Sequence, residues 1–280
     1  MTKPPLSPFQ DPVQWKMLKN GLIALARQEI LPRYHHVTAS RKADGSLLTE
    51  ADTQMQQSTQ RFLQERWPQF GFLGEESGSD EQVVALRSPR GCWILDPLDG
   101  TSNFSSGIPI FTVSLALVIG GRLVAGIVYD PTRDECFAAR VGQGAELNGR
   151  PLVAASDQRR LDEAIALVDF KRLDRDLATR LAIAPPYASQ RSIGSVALDW
   201  CWIAAGRGQL YLHGAQNIWD YAAGLLILTE AGGRSTTLTG EPVFEARVEK
   251  RSAVAATSAP LCDLWCQWVQ AAAVGGSGAG

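Results

Sequence analysis

Apolar residues return every third or fourth position along 12–31, at Trp15, Leu18, Leu22, Leu25 and Ala26, and Pro32 follows. That spacing lines one side of a helix, so a helix is expected there, stopped by the proline. The same period recurs over 50–67, with Met55, Phe62, Leu63 and Trp67 inward. Trp93, Ile94 and Leu95 form a short apolar run that reads as a buried strand. From 111 the pattern becomes β. "FTVSLALVIGGRLVAGIVYDPTRDECFAA" holds two or three strands divided at Gly120-Gly121 and Asp130-Pro131,, and Asn148-Gly149 signals a further tight turn. The second half alternates differently. Strands are expected at 164–170 and 208–214. Helices are expected at 195–206 and 219–233, the latter with Gly232 just past its end. Ser258 is placed to cap a last helix with Leu261, Leu264, Trp265, Trp268 and Val269 on one face,. A meander followed by strand–helix alternation predicts two packed α/β units, 1–150 and 151–270, and a flexible tail at 271–280.

Composition narrows the function classes. The chain has 280 residues, 45% of them apolar and 20% charged, with a net charge of −2, as in ordinary globular proteins. It carries no basic run, so a general nucleic-acid binder is disfavoured while a nucleotide-sized ligand is not. No stretch approaches the roughly 20 apolar residues that span a membrane. "MTKPPLSPFQDP" has no apolar segment of signal-peptide type. Cys92, Cys136, Cys201, Cys262 and Cys266 are odd in number and scattered. They suit reduced thiols in a cytoplasm. Cys262 and Cys266 share a helix face, but no second Cys/His pair completes a zinc site.

The chemistry lies with the carboxylates. In "WILDPLDGTSNF", 93–104, an apolar strand ends by placing Asp96 and Asp99 in a turn. Two carboxylates this close repel unless a cation, a proton or solvent intervenes. Three further acidic positions sit at element ends: Asp52 after Thr49, Glu75-Glu76 in "FGFLGEESG", and Asp220 before an apolar helix. Taken singly, the Glu75-Glu76 loop also reads as solvent-facing, and Asp220 as a helix N-cap. Together they describe an oxygen-only site for a hard cation, favouring Mg²⁺, with Mn²⁺ an alternative and zinc disfavoured. Asp96, flanked on both sides, can bridge two ions, which would hold the attacking and leaving oxygens of an in-line displacement at phosphorus. Gly100-Thr101-Ser102 then reads as an anion cradle at a helix start.

"GEES" at 74–77, "DPLDGTSNF" at 96–104 and "NIWDYAAG" at 217–224 resemble, in order and separation, the signature segments of the inositol monophosphatase family. The resemblance runs from about 15 to 270. It implies an α/β (α+β) fold, a layered α/β/α/β/α sandwich of the inositol monophosphatase and fructose-1,6-bisphosphatase type. It also implies a lithium-sensitive phosphomonoesterase with two or three Mg²⁺ ions, acting on a small phosphorylated metabolite, as a cytoplasmic homodimer. Carried over by position, Glu75, Asp96 and the Leu98 carbonyl would hold one metal, and Asp96, Asp99 and Asp220 a second. Glu76 would act through the water shell. Thr101, supported by Asp52 and Thr49, would orient the attacking water, and Gly100, Thr101 and Ser102 would contact phosphate. Lys42 lies in "KADGS", 42–46, which resembles a loop closing over the site. Gly194, Ser195 and Val196 would line the leaving-group pocket with Asp220. Inositol-specific members carry a glutamate where this chain has His213, and an imidazole is no substitute for an acceptor-only carboxylate. "NIWD" is also similar to the 3′-phosphoadenosine-5′-phosphate phosphatase branch. Lys171 and Arg172 would add charge for a second anionic group there, and histidinol phosphate is a further alternative substrate. Some relatives bind the transcription machinery, so a non-catalytic regulatory partner is the reading from another class.

Overall fold

The computed structural model describes residues 7–34, 39–41, 47–154 and 160–274. Lys42, its 42–46 segment and the 275–280 part of the tail lie outside the described residues.

Helix α1 (Pro12–Glu29) starts where the Asp11 carboxylate accepts the Val13 N–H at 2.9 Å and Pro12 takes the first helical position,. It buries Trp15, Leu18, Leu22 and Ala26. It ends two residues before the expected 31, because Leu31–Arg33 tightens into a 3₁₀ turn around Pro32,. A two-stranded ribbon, β1 (Ala39–Arg41) with β2 (Leu47–Thr49), leads into α2 (Glu50–Arg66). Then follow β3 (Gly71–Gly74), α3 (Ser79–Leu86), β4 (Cys92–Asp99), the one-turn α4 (Thr101–Ser105), β5 (Thr112–Ile119), β6 (Arg122–Asp130), β7 (Glu135–Arg140), β8 (Ala145–Leu147) and β9 (Arg150–Leu152). Strands β3 to β9 form one sheet in sequence order, parallel only at β3–β4. Asn148 and Gly149 make the expected tight turn between β8 and β9, both in left-handed conformations.

The rest of the chain builds a second sheet. It contains β10 (Ile165–Asp169), α5 (Arg175–Ile183), β11 (Ser189–Arg191), α6 (Val196–Ala204), β12 (Leu210–Gln216), α7 (Ile218–Glu230), β13 (Arg234–Thr236), β14 (Arg251–Ala256) and α8 (Ala259–Val274). Its strand order is β11-β10-β12-β14-β13, with β10 parallel to both neighbours and β14 antiparallel to both of its own.

Alternation along the strands explains the layering. In β4, Trp93 and Leu95 join the core under α1 and α2, while Cys92 and Ile94 join the core that contains α6 and α7. In β12, Tyr211 faces α6 and α7, and Leu210 and Leu212 face α5 and α8. Strands covered on both faces read as continuous apolar runs, and helices apolar all round belong in an interior layer. The result is α1/α2, seven-stranded sheet, α6/α7, five-stranded sheet, α5/α8: the α/β/α/β/α sandwich.

Three expectations are corrected. β4 does not stop at Leu95 before a turn. It runs through Asp99, with a break in register between Asp96 and Asp99. Ser258 stands at the start of α8, but its carbonyl accepts the Cys262 N–H at 3.0 Å while its hydroxyl is buried without a hydrogen-bond partner. Leu264 points outward, 45% exposed.

Candidate active site

The first group of acids grows out of β3, β4 and α2. Glu75 continues the β3–β4 pairing, its N–H donating to the Leu95 carbonyl at 3.0 Å. The Glu75-Glu76 loop is half-buried, not simply solvent-facing. Two glutamines hold it. Gln56 Oε1 accepts the Glu76 N–H at 3.1 Å, and the buried Gln82 amide donates to the carbonyls of Gly74, Glu75 and Ser77 at 3.0–3.3 Å. Asp96 and Asp99 are both buried, on either side of the Pro97-Leu98 register break. The break frees the chain to fold back on itself, and Asp96 Oδ1 accepts the Leu98 N–H at 3.0 Å,.

Gly100 follows with φ 95°, and a Cβ there would stand 2.8 Å from the Ile110 carbonyl oxygen. Only glycine tolerates both demands. The Thr101 hydroxyl lies 2.9 Å from the Leu98 carbonyl and 3.2 Å from Asp52 Oδ1, one proton between two acceptors. Asp52 Oδ2 in turn accepts from the Thr49 N–H at 2.7 Å and from the Thr49 hydroxyl, in a capping box at the start of α2,. Ser102 is exposed on α4.

The second group comes from α6, β12 and α7. Asp220 is the third residue of α7, not its N-cap. Asn217 caps the helix, and Asp220 Oδ2 accepts its N–H at 2.8 Å. Ser195 starts α6; its hydroxyl donates to Asp99 Oδ2 at 2.6 Å, and the Ala197 N–H donates to the same oxygen at 2.7 Å. Ser195 thus meets the β4 acids, half-buried Val196 adds its N–H to Asp99, and Gly194 lies against Gly100 and the Asn103 side chain. Asn103, inside the 96–104 segment but assigned no role from it, joins the two groups by donating to Ile110 O at 2.9 Å and Ile193 O at 2.7 Å. His213 is buried on β12, Nε2 3.1 Å from Asp169 Oδ2 and Nδ1 accepting the Ala215 N–H at 3.1 Å.

Electrostatics records how closely the acids sit. Burial pushes the Asp96 carboxyl well above its ordinary range, and the charges of Glu75, Asp99 and Asp220 push it further. Burial raises Asp99 to about 6 against the hydrogen bonds from Ser195, Ala197 and Val196, with Glu75 adding to the rise. Asp220 is raised by burial, then by Asp99 and Glu75. Asp199 of α6, absent from the sequence expectations, is raised by burial and then by Asp99 and Asp169; its Oδ1 is buried without a hydrogen-bond partner. Among the described residues, however, no three His, Cys, Asp or Glu side chains converge on one ion-sized point. Each of Asp96, Asp99 and Asp220 spends an oxygen on a neighbouring N–H or hydroxyl. The donor chemistry still fits a hard divalent cation: oxygen atoms only, from buried like charges that a cation would reconcile.

No helix among the described residues is long and apolar enough to cross a membrane. Residues 14–272 match the inositol monophosphatase family. The chain is 35% identical to an inositol-1-monophosphatase of Caulobacter vibrioides over 205 residues, 71% of this chain and 78% of that protein. It is 37% identical to Nus factor SuhB of Escherichia coli K12 over 213 residues, covering 73% and 76%. The solved extragenic suppressor protein SuhB of Bartonella henselae superposes with TM-score 0.78 at 30% identity, covering 90% of this chain and 98% of that one. A family match across nearly the whole chain, on the fold the sequence led us to expect, leaves a plain conclusion: the chain belongs to the inositol monophosphatase family and is a phosphoric monoester hydrolase.

Proposed function

We propose that this enzyme hydrolyses an inositol monophosphate or a sugar phosphate with the help of Mg²⁺. Water adds to phosphorus, the ester P–O bond breaks, and the alcohol leaves with a proton while inorganic phosphate forms. The observation that carries the reading is the crowding of Asp96, Asp99 and Asp220, three buried carboxylates each raised first by burial and further by the charge of a neighbouring acid. Such a set is costly without a cation. Similarity to a protein named inositol-1-monophosphatase supports the choice of ester.

Glu75, Asp96, the Leu98 carbonyl, Asp99 and Asp220 would hold the metal, with Glu76 acting through its water shell. When bound, the cations supply Lewis-acid stabilisation of charge on the phosphoryl and leaving oxygens. The Thr101 hydroxyl, donating to Asp52, keeps its lone pairs for a proton of the attacking water, and Thr49 fixes Asp52 in turn. The N–H groups after Gly100 and the Ser102 hydroxyl orient phosphate. Gly194, Ser195 and Val196 hold the second group against it. The homodimer and the cytoplasmic setting implied by the resemblance belong to the same reading.

Phosphate release is the test. Asp220→Asn and Asp99→Asn should each lower kcat/KM at least about 1000-fold, roughly 4 kcal/mol, with unchanged circular dichroism. Turnover within tenfold of wild type in either variant would overturn the reading. Similarity to a protein named Nus factor SuhB favours a second one, a regulatory partner without turnover. Stoichiometric capture of a protein partner, with no ester hydrolysed, would establish it.

A further inference from the structure

Strands β10 and β12 lie side by side and parallel, and the last pair in their ladder is Asp169 opposite His213. From there the chain diverges. After β10 it goes to α5, which packs on the outer face with Leu177 and Leu181. After β12 it goes to α7, which packs on the inner face with Tyr221 and Leu225. Adjacent parallel strands whose connections leave to opposite faces open a crevice at their carboxyl ends, and α/β sheets bind ligands there. Strand parity turns both side chains inward. Asp169 shares the face of Leu167, and His213 shares the face of Tyr211, the side occupied by α6 and α7. Asp220 stands on the first turn of α7, the helix that follows β12. Asp199 of α6 feels the charges of both Asp99 and Asp169.

The hydrogen bonds define the pair's chemistry. His213 Nδ1 accepts the Ala215 N–H, so the ring proton sits on Nε2 and is donated to Asp169 Oδ2,. Asp169 Oδ1 accepts the Lys171 N–H at 2.9 Å. Burial works against the charge of Asp169, but His213, Lys171 and Arg172 outweigh it and hold the carboxyl below its ordinary range. Each carboxylate oxygen accepts two hydrogen bonds, so both retain capacity, and the side chain is 31% exposed while that of His213 is 4% exposed. The histidine is therefore buried behind the aspartate, with both nitrogens engaged.

We propose that Asp169 is the specificity-determining acceptor of this phosphatase, binding a hydroxyl of the leaving group, with His213 as the positioning residue that aims it. The inference rests on the phosphatase reading above. It assigns a donor-rich leaving group, a polyol and not an aryl or alkyl alcohol, to the crevice between β10 and β12.

The test compares two esters: inositol 1-phosphate, whose leaving group is rich in hydroxyls, and phenyl phosphate, whose leaving group has none to offer. Asp169→Asn should raise KM for inositol 1-phosphate at least tenfold and leave kcat/KM for phenyl phosphate within twofold of wild type. His213→Ala should do the same. His213→Gln, which supplies one acceptor and one donor, should recover most of the loss. Equal losses on both esters, or no loss on either, would show a structural role and overturn the proposal. Wild-type enzyme that releases no phosphate from either ester would instead overturn the phosphatase reading, and the subsite with it.

Discussion

Both sheets break register where they meet the site, and the two breaks differ in kind. In β4 the break falls at Pro97-Leu98, between Asp96 and Asp99. In β12 it falls at Gly214-Ala215, between His213 and Gln216. Each re-aims side chains at the end of a ladder. The β4 break is built on a residue that lacks an N–H, sits inside a run of eight buried residues, and turns charged groups toward one another. The β12 break is built on close approach, and it positions a neutral ring behind a half-exposed carboxylate. One side of the site concentrates charge for chemistry. The other leaves hydrogen-bonding capacity open for a leaving group. On the proposed reading, reactivity and selectivity reside on different sheets and should respond separately to mutation.

Glycine substitutions test the difference most severely. A Cβ on Gly214 would lie 1.6 Å from the Arg172 carbonyl oxygen, an impossible approach that forces the 170–172 turn off β12. Gly214→Ala should cost about 4 kcal/mol or more, read by urea denaturation. Gly100→Ala meets a milder clash and a left-handed backbone costing about 1–2 kcal/mol. Its unfolding midpoint should fall less than that of Gly214→Ala, while its phosphate release falls further than its stability. The link between the sides comes next. Asn103→Ala strands the carbonyls of Ile110 and Ile193, for about 1–3 kcal/mol by the same denaturation assay, and loosens the Ser195 hold on Asp99.

The smallest effect separates the sides by pH. The Asp199 carboxyl is raised by burial, so its folded state keeps the proton longer than the unfolded chain does. Its stabilising contribution is complete below the unfolded value and is lost as pH rises through the folded one. Asp199→Asn has no proton to lose. Its thermal midpoint should gain on wild type as pH is raised, by on the order of 2–4 °C, in scans from pH 5 to 9.

Much of this was legible in the chain. The helices α1, α2, α6 and α7 and the strands from 111 to 140 announced themselves by period, because each buries a face or is buried on both. Residues 234–257 carried no such signal. β13 has three residues and β14 is half alanine, so neither shows a run of large apolar side chains. α3, α5, β3 and β11 were likewise unmarked, being short and polar-flanked. The acids stood out because they end apolar runs. Gln56 and Gln82 did not, since their partners lie from 5 to 20 positions away and no local pattern encodes a distant backbone group.

The middle layer has a consequence for how the chain can be made. Ala222, Ala223 and Ile227 of α7 belong to a core that includes Ile94, Ala116 and Val128 from one sheet and Tyr211, Ala253 and Ala255 from the other. A ribosome that has released only the first 155 residues has produced a seven-stranded sheet with one oily face and nothing to cover it. Until the residues after 160 emerge, that face has nothing to pack against, and the two halves need each other to bury it,.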